Sequence, residues 1–303
     1  MTALPRPLPP PLVPGDKIGV WVLAGGPAEA ALQRGVELLQ EAGFEVLVRP
    51  APPYSRAYLA APDEARLAAL GELLDAGVRA LVAARGGYGV MRLLERLPWE
   101  RLAAWGGWVV GFSDVTALHA ALAARFPFAT LHGPMVASLG RDTESTSRLL
   151  ALLRGEDREG EMTFRPLQVV RSGVARGVAV GGNLSLLCAL AGTPFEPEYG
   201  GAIVFIEEVA EPLFRLDRML THLRLSSRLA AAKAVIAGEL VRCGRGETGW
   251  RERWRELLAE VAPPGAPVVE GLPFGHGKRN RPFPLGVEVE VDTARGTVSW
   301  GGR

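Results

Sequence analysis

Short apolar runs alternate with amphipathic stretches through the first half of the chain. The runs at 17–23 (Lys-Ile-Gly-Val-Trp-Val-Leu), 44–48, 78–83, 108–112 and 128–131 are short and rich in β-branched and aromatic residues. They predict buried strands. Between them, 27–42, 64–76, 93–97, 113–123 and 145–153 carry apolar residues at helical spacing, as with Val115, Leu118, Ala121 and Leu122. Strands alternating with helices predict an α/β fold with a parallel sheet covered on both faces. The pattern breaks at 155–160 (Gly-Glu-Asp-Arg-Glu-Gly), which predicts a linker ending near 175. Beyond it lie shorter strands at 174–180, 202–206, 234–236, 268–270, 287–291 and 297–300, the last two joined by a hairpin, and helices at 184–191, 213–223 and 250–261. This predicts a smaller α+β domain on a smaller sheet. The expected division is residues 1–170 and 171–303.

The chain has 303 residues, enough for two cores. Its 34 Lys and Arg against 33 Asp and Glu give no electrostatic case for nucleic acid or an anionic membrane. No apolar stretch is long enough to span a bilayer. The N-terminus is a proline-rich arm without an apolar signal core. Two cysteines, Cys188 and Cys243, make neither a disulfide framework nor a metal site, so the default expectation is a cytosolic protein. The loop after the first strand reads Leu23-Ala-Gly-Gly-Pro27. It lacks both dinucleotide and phosphate-loop glycine patterns, and no cofactor is expected.

Candidate chemistry falls at strand ends, where ligands of parallel sheets bind. Gly111-Phe-Ser113-Asp114 joins an apolar run to a helical pattern. A serine there is exposed by a tight turn, and the first-turn amides of the helix can hold a developing negative charge. A plain N-cap accounts for the same residues and is the more ordinary reading of this stretch alone. Arg85-Gly86-Gly87-Tyr88-Gly89 is a ligand loop or a tight turn. Glu207, Glu208 and Glu211 follow an apolar strand, as acid/base or orienting groups or as a solvated acidic turn. His119, His132 and His222 sit in helical or strand contexts that suit structural roles. His276 lies in Phe274-Gly-His-Gly277, a loop that presents a side chain rather than packing it. Serine, acid, histidine is the chain order of α/β-hydrolase triads.

Taken together these stretches resemble the LD-carboxypeptidase family, which includes muramoyltetrapeptide carboxypeptidases and microcin C self-immunity peptidases. The matching pieces are Pro14-Gly-Asp-Lys-Ile, Arg85-Gly-Gly-Tyr-Gly89, Gly111-Phe-Ser-Asp-Val-Thr-Ala-Leu-His119, His132-Gly-Pro134, Gly181-Gly-Asn-Leu184, Gly192-Thr-Pro194, Ile206-Glu-Glu-Val-Ala-Glu211 and Phe274-Gly-His276. They occur in the family's order along nearly the whole chain. The resemblance implies a Rossmann-like N-terminal domain carrying nucleophile Ser113 and a C-terminal domain carrying Glu207 and His276, with the active site between them. It implies a metal-free serine carboxypeptidase releasing D-alanine from a murein tetrapeptide, with an oxyanion hole at the Asp114 and Gly87 amides. Arg85, Gly86 and Tyr88 are expected at the substrate, and a homodimer is expected from family habit. The family's Pro-Ser after the first strand is Leu23-Ala24 here, and its Glu-Asp is Glu207-Glu208. Two other readings predict different behaviour: an immunity-type peptidase for peptidyl-nucleotide amides, disfavoured by the absence of Trp from 109 to 249, and a non-enzymatic two-domain ligand-binding protein.

Overall fold

A computed structural model describes residues 3–49 and 58–301. The chain forms two compact units, Pro7–Asp157 with Lys278–Pro284, and Arg158–Gly277 with Met1–Arg6 and Leu285–Arg303. The division falls at Asp157 rather than near residue 170, and the short strands at 160–163 and 169–171 both join the second sheet.

In the first unit, β1 (Lys17–Trp21), α1 (Glu29–Glu41), β2 (Glu45–Val48), α2 (Asp63–Asp75), β3 (Ala80–Ala83), α3 (Trp99–Trp105), β4 (Trp108–Gly111), α4 (Thr116–Arg125), β5 (Thr130–His132) and α5 (Thr143–Arg154) follow in order. Helix α3 is absent from the expected elements; its Trp-Glu-Arg-Leu-Ala-Ala-Trp has one buried leucine and too little apolar period to stand out. Strands β1 to β5 are parallel and ordered β5-β4-β3-β1-β2. One face of the sheet presents Ile18, Val20, Val82, Val110 and Leu131 to Val36 and Leu39 of α1 and to Leu149, Leu152 and Leu153 of α5. The other takes α2, whose Leu73 lies against Gly19. In this strand order the switch point falls between β1 and β3, which aims the loops after β1, β3 and β4 at one crevice.

The second unit holds β6 (Gly160–Thr163), β7 (Val169–Arg171), β8 (Val174–Asn183), α6 (Leu184–Leu190), β9 (Ala202–Val209), α7 (Leu213–Leu225), β10 (Ala234–Val241), α8 (Trp250–Val261), β11 (Val268–Leu272), β13 (Glu288–Asp292) and β14 (Thr297–Trp300). A short strand, β12 (Phe283–Leu285), lies beside β5 at the edge of the first sheet. Among the described residues the second sheet is the larger one, with eight strands against six, contrary to the expectation from sequence. Parallel β8-β9-β10-β11 is flanked by antiparallel β13, β14 and β6 on one side and by β7 on the other. Its strands outrun their apolar runs. The ladder continues through Gly181-Gly182-Asn183, pairing Asn183 with Glu207. Leu184, Leu187, Leu216, Leu220, Trp254 and Leu258 from α6, α7 and α8 close one face over Val204, Ile206, Val235 and Val268. No helix among the described residues is long and apolar enough to cross a membrane.

Candidate active site

Ser113 is separated from β4 by Phe112 alone and opens the 3-10 turn that leads into α4. Its backbone is left-handed, φ +63°. An N-cap residue takes extended backbone, and Ser113 does not. A non-glycine residue in this region is strained. Its setting is otherwise rigid. The buried His119 approaches the Gly111 carbonyl through Nε2 at 2.9 Å. Burial pulls the His119 pKa down to about 4, against the opposing effect of that carbonyl, so the ring is neutral with its proton on Nε2. The Gly133 amide donates to the same carbonyl at 3.2 Å.

The glycine loop meets this turn. A methyl group added at Gly86 would lie 3.0 Å from both Cβ and Oγ of Ser113, so only a glycine hydrogen fits there easily. The Gly25 amide, in the loop after β1, donates to the Gly86 carbonyl at 3.0 Å. Arg85 donates to the Gly26 carbonyl at 2.8 Å, strapping the same two loops together. Gly87 has φ +126°, and Tyr88 is half exposed with its ring edge-on to Tyr58 at 5.8 Å. Asp114 is buried, and its Oδ2 accepts the Val90 amide at 2.8 Å.

In the second unit, β9 carries two adjacent glutamates to opposite faces of the sheet, as strand alternation requires. Glu207 is fully buried, and its Oε2 lies 2.6 Å from Nδ1 of His276, whose side chain is 19% exposed. Burial alone lowers the imidazole pKa; the hydrogen bond to Glu207, then the charges of Glu207 and Glu208, outweigh it and raise the pKa above the usual histidine value. Gly275 makes this approach possible. It has φ +103°, and a Cβ there would lie 2.7 Å from Glu207 Oε2. On the far side of His276, a Cβ at Gly277 would collide with the Glu239 carboxylate. Phe274, fully buried and edge-on to Phe205 at 5.8 Å, roots the loop.

Glu208 and Glu211 do other work. Glu208 accepts the Asn183 side-chain amide at 2.9 Å, the Ser185 amide at 2.8 Å, the Ser185 hydroxyl at 2.7 Å and its neighbour Val209 at 2.9 Å. It ties the start of α6 to β9. Glu211 pairs with Arg215 at 2.8 Å on the surface of α7. The structure therefore brings His276 to Glu207, and the glycine loop to Ser113, within their respective units. Sequence reasoning passed over Arg66, which is buried in α2 and bonded to loop carbonyls. Its Asp63-Glu64-Ala-Arg66 context reads as an ordinary solvated helix start. It passed over Glu239 for a similar reason, since a lone acid after an apolar run reads as a strand end.

Comparison with known proteins matches residues 18–133 to the LD-carboxypeptidase N-terminal domain and 176–291 to the LD-carboxypeptidase C-terminal domain. A Streptomyces coelicolor protein provisionally named a carboxypeptidase is 37% identical over 95% of this chain and 94% of that one. The murein tetrapeptide carboxypeptidase of Pseudomonas aeruginosa is 34% identical over 78% of this chain and 80% of that one. Among solved structures, the muramoyltetrapeptide carboxypeptidase of Oxalobacter formigenes superposes with a TM-score of 0.79 at 27% identity, covering 93% of this chain and 97% of that chain. A microcin C7 self-immunity protein superposes at 0.84 and 23% identity over 98% of both chains, a likeness of fold.

Proposed function

This chain belongs to the LD-carboxypeptidase family and is a serine-type peptidase, and from that premise we propose that it removes the terminal D-alanine from a murein tetrapeptide. The observation that carries the reading is the Glu207–His276 pair, a buried carboxylate held 2.6 Å from a partly exposed imidazole. That is how a general base is fixed in one tautomer, with Nδ1–H on the carboxylate and Nε2 as the atom that accepts a proton.

In this proposal Ser113 Oγ attacks the carbonyl carbon of the amide joining D-alanine to the L-centre of the diamino acid, and its proton passes to Nε2 of His276. Negative charge on the carbonyl oxygen is received by the amides of Asp114 and Gly87, a contribution of about two to three orders of magnitude in rate for such donors. The tetrahedral adduct collapses, the C–N bond breaks, and His276 returns the proton to the departing amine. Water then attacks the acyl-serine, giving its proton to His276, and the tripeptide leaves with a carboxylate while Ser113 regains its hydrogen. Arg85, Gly86 and Tyr88 line the approach to the serine as substrate contacts. We place the reaction in the cytosol, on peptides released during cell-wall recycling, and expect a homodimer.

Release of D-alanine from purified tetrapeptide tests the reading, with a peptidyl-nucleotide amide run in parallel. Cleavage of the second compound alone would assign the chain to immunity-type chemistry. Cleavage of neither, with no labelling of Ser113 by a fluorophosphonate, would leave a ligand-binding protein.

A further inference from the structure

The residue after the serine has a second set of contacts, made by its side chain. Asp114 is 2% exposed. Its carboxylate accepts the Val90 amide at 2.8 Å. From the other direction Arg66, fully buried on α2, donates through Nη1 to the Gly89 carbonyl at 3.0 Å and to the Leu23 carbonyl, while Nη2 is paired with Asp63 at 2.5 Å. The Gly89–Val90 peptide group is thus held by its N–H through a carboxylate and by its C=O through a guanidinium. The same guanidinium ties that loop to the one after β1.

Holding two charged groups in this setting is costly. Burial pushes the Asp114 carboxyl up to about 6, against the Val90 hydrogen bond and the Arg66 charge. A turn that needed only to be stable has cheaper solutions in neutral side chains. What the charges add is stiffness: charge-assisted hydrogen bonds fix the loop more firmly than neutral ones. The loop they fix is the one whose Gly86 lies against the Ser113 hydroxyl.

We propose that the Asp114 carboxylate and the Arg66 guanidinium form a bracket that positions the glycine loop, so that its amide is already in place to receive the oxyanion when Ser113 attacks. Asp114 is then a positioning residue in its side chain, apart from the role of its main-chain amide. The inference rests on the reading of Ser113 as nucleophile. Its energetic signature is selective. A displaced oxyanion donor weakens binding of the tetrahedral state and leaves ground-state binding alone.

The test uses the full chain with Asp114→Ala and Asp114→Asn. Three quantities are read: turnover of the tetrapeptide, rate of Ser113 labelling by a fluorophosphonate, and affinity for a peptide boronate (a tetrahedral mimic) relative to the tripeptide product. Asp114→Ala should lose about 100-fold in turnover, labelling and boronate affinity, by analogy with loss of one oxyanion donor, with product affinity unchanged. Asp114→Asn, which keeps one acceptor oxygen, should lose about 10-fold in the same three quantities. Wild-type turnover and boronate affinity in both variants would overturn the bracket, as would parallel losses of boronate and product affinity. Should Asp114→Ala not fold, Asp114→Asn decides by the same criteria. Failure of the underlying reading looks different: wild-type protein would resist labelling and Ser113→Ala would still turn over.

Discussion

A left-handed backbone at Ser113 costs a side-chain-bearing residue about 1–2 kcal/mol relative to its relaxed conformation, and glycine escapes most of that cost. Ser113→Gly should therefore melt above Ser113→Ala, while both lose turnover by several orders of magnitude for want of a nucleophile. Equal melting temperatures would argue against strain at the turn. At His276 the prediction concerns pH. A folded-state pKa above the ordinary histidine value of 6.5 means the imidazolium persists to higher pH than in the unfolded chain. The pair therefore stabilises the fold fully below the unfolded value, and that contribution is lost as pH rises through the folded one. A neutral imidazole is needed as base, so the acidic limb of kcat/KM should fall above pH 6.5. Glu207→Gln should move that limb downward and reduce turnover sharply. An unmoved limb in Glu207→Gln would sever the pair from the reaction.

At the scale of elements, β9 decides which glutamate does what. Two-residue alternation sends Glu207 toward Gly275 and His276, and Glu208 toward Asn183 and Ser185. Removing Glu208 strands several buried donors, at about 1–3 kcal/mol for each group left unsatisfied. Glu208→Ala should thus lower the melting temperature by many degrees and move the kcat/KM acid limb downward less than Glu207→Gln does, since Glu208 acts on His276 through its charge alone. A thermal scan and a pH profile on both variants separate the two roles. This division was only half legible in the sequence. The apolar runs announced β9 and the helices around it, and Glu207-Glu208 stood out at the strand's end. Which of the two faced the histidine depended on where β9 stops, and it runs to Val209, past its apolar run, because it pairs with β10 as far as Val241. The glycine loop was legible as a turn. Its bracket was not, because Asp114 and Val90 are 24 residues apart and Arg66 and Gly89 are 23 apart. Edge strands β6 and β7 were missed because they are short and partly polar, with pairing partners far along the chain.

The whole chain does not divide into two consecutive pieces. It leaves the second unit immediately after the His276 loop, at Gly277, and gives Lys278–Pro284 to the first unit before returning. That segment is firmly built in. Phe283 stacks on the buried His132 at 4.9 Å, Pro282 lies against Gly133, the Asn280 amide donates to the Ser145 hydroxyl at 3.2 Å, and Arg281 faces Glu144 at 3.4 Å. Strand β12 also covers β5, which would otherwise be an edge strand with unpaired backbone groups. A fragment cut at Asp157 keeps every parallel strand but lacks this cover. Burying a phenylalanine side chain contributes about 1.5–3 kcal/mol, a large share of the roughly 5–15 kcal/mol that holds a domain together. The fragment 7–157 should accordingly aggregate or melt well below the same fragment with residues 278–284 attached through a flexible linker. Phe283→Ala in the linked form should return it toward the bare fragment. Matching melting curves for the bare and linked fragments would show that the first unit is complete without its returning segment.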